Sequence, residues 1–205
     1  MARAASTLAD SYISHLNGLN QTRRKVERLF NAGELVRRDI EQVYSGLYLD
    51  AVTSLENLIE NLFIGLLVGS VAPTHSGINP RVTFKSPLIA REIVLGGRNY
   101  VDWLPFDHTE KRSKAFFRNG APFTNLEKAD KGQMDRFLSV RHAIAHKSSH
   151  SQRVFEQRVI GSAPLTNREK TPAGFLRSVF RVAPVQTRYE SLMDDMQIIA
   201  RKLCV

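Results

Sequence analysis

The stretch Val140–His150, VRHAIAHKSSH, concentrates the side chains best suited to chemistry. His142, His146 and His150 stand four residues apart, with Arg141 beside the first of them. An imidazole titrates near neutral pH, and a guanidinium is a permanent cation carrying a planar fork of donors. Three readings of this set compete. A metal site would use the i, i+4, i+8 histidines. However, no glutamate follows His142, as a zinc metalloprotease helix requires, and no second histidine or carboxylate cluster completes a ligand shell. Ser148-Ser149 should end the helix before His150, so neither a metal nor a cofactor is expected. The second reading is a polar helix end whose arginine is held by a structural salt bridge. The third is a phosphoryl-transfer site, with a fixed cation beside a titratable imidazole.

Helix geometry sharpens the choice. At about 100° per residue, Met134, Phe137, Leu138, Ile144 and Ala145 form one apolar arc, and Arg141 falls in its middle. A guanidinium cannot discharge, so burying it unpaired is costly. Glu56 and Glu60 on the second helix are candidate partners, but they lie opposite the apolar stripe of that helix. That points Arg141 toward an interface or a ligand. His142 and His146 lie about 40° apart on the flank of the arc. His146 is close to the helix C-terminus, where the dipole favours a protonated imidazole.

The elements that must position these groups are helical nearly throughout. A first helix is predicted over 7–30, broken by Asn31-Ala32-Gly33. A second, over 34–68, carries the stripe Ile40, Val43, Leu47, Ala51, Leu55, Leu58, Leu62, Leu66, and Gly46 is a candidate bend. A loop is predicted from Gly69 to Pro87, with a short extended piece at Arg81–Phe84, then a short helix at Leu88–Leu95 stopped by Gly96-Gly97. Asp107 and Glu110 form a candidate capping box for a further helix. The motif helix is predicted over 129–147 and another over 151–160. A loop over 161–174 leads to a helix or turn at Phe175–Phe180. A closing helix over 187–203 has the stripe Tyr189, Leu192, Met193, Met196, Ile199, Ala200, Leu203. The expected fold class is all-α: one domain over 1–205, with an N-terminal helix at 7–30 and a core at 34–205. It is a bundle of about four main helices with extra short helices and loops.

Composition sets the outer limits. The chain has 205 residues, 42% hydrophobic, which is ordinary for a folded domain. The longest apolar run, Leu62–Val68, is far too short to cross a bilayer, and the first fifteen residues lack the apolar core of a secretory signal. The single cysteine, Cys204, allows no internal disulfide and fits a reducing cytoplasm. Net charge is +9, which favours a polyanionic partner. From Arg136 to Arg181 there are nine lysines and arginines against two acids, so most of the excess surrounds the motif.

Arg141-His142-x3-His146 is similar to the Arg-polar-x3-His signature of HEPN domains, named for higher eukaryotes and prokaryotes nucleotide-binding. The setting resembles that family too: the motif comes late, on a helix ending AHKSS, after a long helix containing LDAVTSLENLIENLF. The resemblance covers most of Leu47–Leu203. It implies an α-helical bundle that forms a homodimer and brings two motifs into one shared active site. It implies a metal-independent endoribonuclease, a toxin or phage-defence component held in check by an antitoxin or regulatory protein. On that footing His146 is the general base on a ribose 2′-hydroxyl, or the acid on the leaving 5′-oxygen. Arg141 holds the scissile phosphate, and His142 orients His146 or touches phosphate. Lys147, Ser148, Arg153 and Arg158 are the candidates for tracking RNA. Trp103 and Phe106 can stack bases but are expected to be packing residues. The alternative within the family is a non-catalytic module that binds RNA or a protein. Outside it stands a monomeric helical adaptor with a fortuitous motif.

Overall fold

The structure, a computed structural model, describes residues 2–73 and 77–204. It is all-α, with eight α-helices among the described residues. Four are long: α1 (Ala5–Asn31), α2 (Arg37–Leu67), α5 (Lys128–His146) and α8 (Arg188–Leu203). Four are short: α3 (Pro87–Leu95), α4 (Phe106–Phe116), α6 (Ser149–Phe155) and α7 (Pro172–Arg177). A 3-10 turn (Arg118–Gly120), a π-helical turn that continues α6 (Glu156–Ile160) and two strand pairs complete the set. β1 (Arg3–Ala4) runs parallel to β2 (Val71–Ala72), and β3 (Val179–Val182) runs antiparallel to β4 (Val185–Thr187). No helix of the described residues is long and apolar enough to cross a membrane.

The breaks between helices follow the backbone chemistry of the residues there. Gly33 adopts φ 78°, a left-handed conformation open to glycine, between α1 and α2. Gly96, at φ 58°, caps α3, donating its N–H to the Glu92 carbonyl. α2 runs unbroken through Gly46. The expected capping box at Asp107 does not form. α4 begins one residue earlier, at Phe106, and Glu110 bonds Lys114 (3.0 Å) and Lys131 instead. Residues 81–84 form no strand, although Pro80 bridges Phe117. Thr74–Ser76 of the expected loop lie outside the described residues.

The chain divides into two compact units. One comprises the chain up to Ile13, Ser54–Asp135 and the chain from Gln197 onward; the other comprises Ser14–Thr53 and Arg136–Met196. The first unit is built on an aromatic cluster in which Phe63 meets Trp103, Phe116, Phe117 and Phe123 at centroid distances of 5.0–5.7 Å. Trp103 and Phe106 are buried there, as packing residues.

The second unit carries the motif. Its part of α2 buries Ile40, Tyr44 and Tyr48, whereas Val43 and Leu47 are only half-buried. The expected stripe holds at Ile40 and Ala51 but is displaced by one position at Val43 and Leu47, where Tyr44 and Tyr48 are buried and each finds a partner for its hydroxyl. Tyr44 donates to Glu27 Oε1 (2.7 Å) and Tyr48 to the Phe137 carbonyl (3.2 Å). Arg23 binds Glu190 at 2.5 Å and Arg177 binds Glu27 at 3.1 Å, tying α1 to α8 and α7.

Candidate functional site

α5 positions the motif and ends on it. Its last helical residue is His146, and Lys147 turns into the left-handed region at φ 47°. Ser148 then starts α6. Its Oγ accepts from the Ser151 backbone N–H while Ser151 Oγ accepts from the Ser148 N–H, both at 3.2 Å. A reciprocal box directly after a reversed residue gives a sharp corner with His146 and Lys147 at its outer edge. His150 belongs to α6, so the three histidines do not continue along one helix. No group of three or more His, Cys, Asp or Glu side chains among the described residues is placed to hold a metal ion.

Burial around α5 departs from the single arc expected. Phe137, Leu138, Ser139 and Val140 are all buried, so four successive directions are covered and the middle of α5 is enclosed. Further on, Ala143 is buried, Ile144 is half-buried and Ala145 is exposed. Arg141 is half-buried rather than set in the middle of a buried stripe. Periodicity reports one preferred face; it does not report that a segment is covered on several sides and then emerges into solvent. Glu60, one of the two acids considered for Arg141, takes Arg91 at 2.9 Å and the Trp103 indole N–H at 3.1 Å.

The histidines are brought together. The rings of His142 and His146 lie 5.3 Å apart, centroid to centroid, at 58°. His142 is half-buried and His146 exposed. Partial burial holds His142 below the usual imidazole range, and the charge of Arg141 and then that of His146 push it the same way. His142 is therefore neutral at pH 7 and offers one donor and one acceptor beside an accessible second imidazole. Arg141 and His146, five residues apart, lie about 140° apart around the helix. A single copy of α5 thus presents them on different flanks.

The basic candidates are accessible. Lys147, Ser148, Arg153 and Arg158 are exposed, and neither Arg153 nor Arg158 has an acidic partner among the described residues. Ser148 already caps α6, which leaves its hydroxyl less free than the lysine and arginines. Four residues that sequence reasoning passed over, Arg38, Gln42, Gln152 and Ala173, join Lys147 around a cleft. They come from α2, α6 and α7, so no local spacing could have linked them. No protein-family model matches this chain, and neither does any curated protein or solved structure.

Proposed function

We propose that this protein is a metal-independent endoribonuclease of HEPN type, working as a homodimer in the cytoplasm as a toxin or phage-defence component. The observation that carries the reading is the corner at the end of α5. There an accessible His146 lies tilted against a neutral His142, with Arg141 on another flank of α5 and the exposed Lys147 following in the chain. In this reading one His146 removes the proton from a ribose 2′-hydroxyl, and the oxygen attacks phosphorus. A second His146, from the other protomer, gives a proton to the departing 5′-oxygen. Arg141 neutralises the phosphoryl oxygens as charge accumulates on them. The products are a 2′,3′-cyclic phosphate and a 5′-hydroxyl. DNA, lacking the 2′-hydroxyl, is spared. The two-protomer arrangement answers the spread of Arg141 and His146 around one α5, since a two-fold axis can bring one group from each copy to the same phosphate.

The same spread favours a second reading, a non-catalytic module that binds RNA or a regulatory protein through this corner. The two separate in one experiment. Purified protein in chelator is given mixed RNA, beside His146→Ala and Arg141→Ala, with light scattering on each sample. The enzyme reading expects cleavage to cyclic-phosphate ends that falls at least about a hundredfold in either variant, and a dimer. Equal cleavage by all three proteins, or a strict monomer, sinks it. RNA bound but left uncut by the wild type, and held less tightly by the two variants, supports the module.

A further inference from the structure

A cleft of about 660 Å³ opens in the unit that carries the motif. Its walls include Arg38 and Gln42 of α2, Ala143 and Lys147 of α5, Gln152 of α6 and Ala173 of α7. The volume is in the range of small-ligand sites. Two cations stand on it, Arg38 and Lys147, both exposed and without an acidic partner among the described residues. Glu41 is the one acid of the lining, and its carboxylate takes Arg37 Nε at 2.7 Å. The local balance therefore favours an anion. Gln152 is oriented: its Nε2 donates to the Ala143 carbonyl at 3.3 Å, so Oε1 stays an acceptor and one N–H remains to donate. Cations, a fixed amide and a small apolar wall match a nucleotide's phosphate, base edge and base face. Lys147, which lines the cleft, is also the residue that follows His146 in the chain.

We propose that this cleft binds one single-stranded RNA nucleotide next to the phosphate held at His146. Arg38 and Lys147 take its backbone, and Gln152 and Gln42 take its base edge. This rests on the RNA reading of the α5 corner, though not on catalysis.

The test uses the full chain and a short, labelled 2′-O-methyl RNA of mixed sequence, which binds but cannot be cleaved, titrated across a range of salt. Lys147→Gly removes the charge and keeps the left-handed backbone. Arg38→Gln removes the other cation from an exposed position. Ala173→Trp fills the cleft. Lys85→Gln, an exposed lysine in the other unit, controls for net charge, and circular dichroism confirms folding of each. Lys147→Gly and Arg38→Gln are each expected to weaken binding about threefold to tenfold and to lower the salt slope by about one. Ala173→Trp should weaken binding with the slope unchanged. If the wild type binds RNA and all three cleft variants match Lys85→Gln, the cleft assignment is overturned while the RNA reading stands. If the wild type binds no RNA even at low salt, that reading fails and takes the cleft with it. Capture of a poly-glutamate peptide, lost in Lys147→Gly, would then reassign the cleft to an acidic protein segment.

Discussion

The rings of His142 and His146 lie 5.3 Å apart on one flank of α5, tilted at 58°, the inner ring half-buried and the outer one exposed. Partial burial and the charges of Arg141 and then His146 all disfavour a proton on His142. The pair is thus divided into a neutral inner ring and an outer ring open to solvent.

A pH dependence follows from the inner ring. His142 is held below the usual imidazole range when folded, so the unfolded chain takes up a proton first as pH falls. Its contribution to stability is complete above about pH 6.5, the unfolded value, and declines as pH falls through that value toward the folded one. Proton NMR should place the His142 midpoint below 6.5, and Arg141→Gln should raise it. His142→Gln should flatten the fall of Tm between about pH 7 and 5. A midpoint above 6.5 would contradict the site as described.

Two glycines of α2 should respond in opposite directions to alanine. At Gly46 a Cβ meets nothing within 4 Å, and the position is exposed. Gly46→Ala should stabilise by about 0.5–1 kcal/mol through helix propensity. At Gly65 a Cβ would run into the side chain of buried Val71, on β2. Gly65→Ala should destabilise by about 1–3 kcal/mol. Denaturant midpoints of the two variants measure both.

Glu60 joins α3 to the aromatic cluster, taking Trp103 Nε1 on one oxygen and Arg91 on the other. Its two bonds differ in worth. Trp103 is buried, so Glu60→Ala leaves its N–H without that partner, at about 1–3 kcal/mol. Arg91 is half exposed, and Arg91→Ala should cost less than about 1 kcal/mol. Trp103 is the single tryptophan of the chain and supplies the fluorescence signal for both titrations.

The corner after His146 depends on Lys147 and Ser148. Ser148→Ala removes half of the reciprocal box and should cost about 1 kcal/mol. Lys147→Gly relieves a side chain at φ 47° and should leave Tm unchanged or higher. Lys147→Val, β-branched, should lower it.

Cys204 tests the closing helix. It is 1% exposed, and burial pushes its thiol up to about 12. A thiol reagent at pH 8 should label the native chain far more slowly than the unfolded one. Equal rates would mean that the end of α8 is not packed as described.

What could be read from the sequence was what lies within a few residues. The four long helices, the stops at Gly33 and Gly96 and the whole buried stripe of α8 from Tyr189 to Leu203 are local matters. Periodicity of 3.6 and the φ preference of glycine specify them without reference to the rest of the chain. The β3–β4 hairpin was not legible: Val179, Phe180, Val182 and Val185 are all exposed, so no alternation of buried and polar residues marks it.

The tertiary structure decided which faces are buried and which residues share a cavity. Tyr44 displaced Val43 from the core of α2 because Glu27, 17 residues away, meets its hydroxyl, and Tyr48 does the same through Phe137, 89 residues away. Enclosure of α5 on several sides set Arg141 half in solvent and left Ala145 exposed. Arg38, Lys147 and Gln152 became neighbours only when α2, α5 and α6 packed together. Helix periodicity is carried by adjacent residues, whereas burial and hydrogen-bond partners depend on segments distant in the chain, and only packing brings those together.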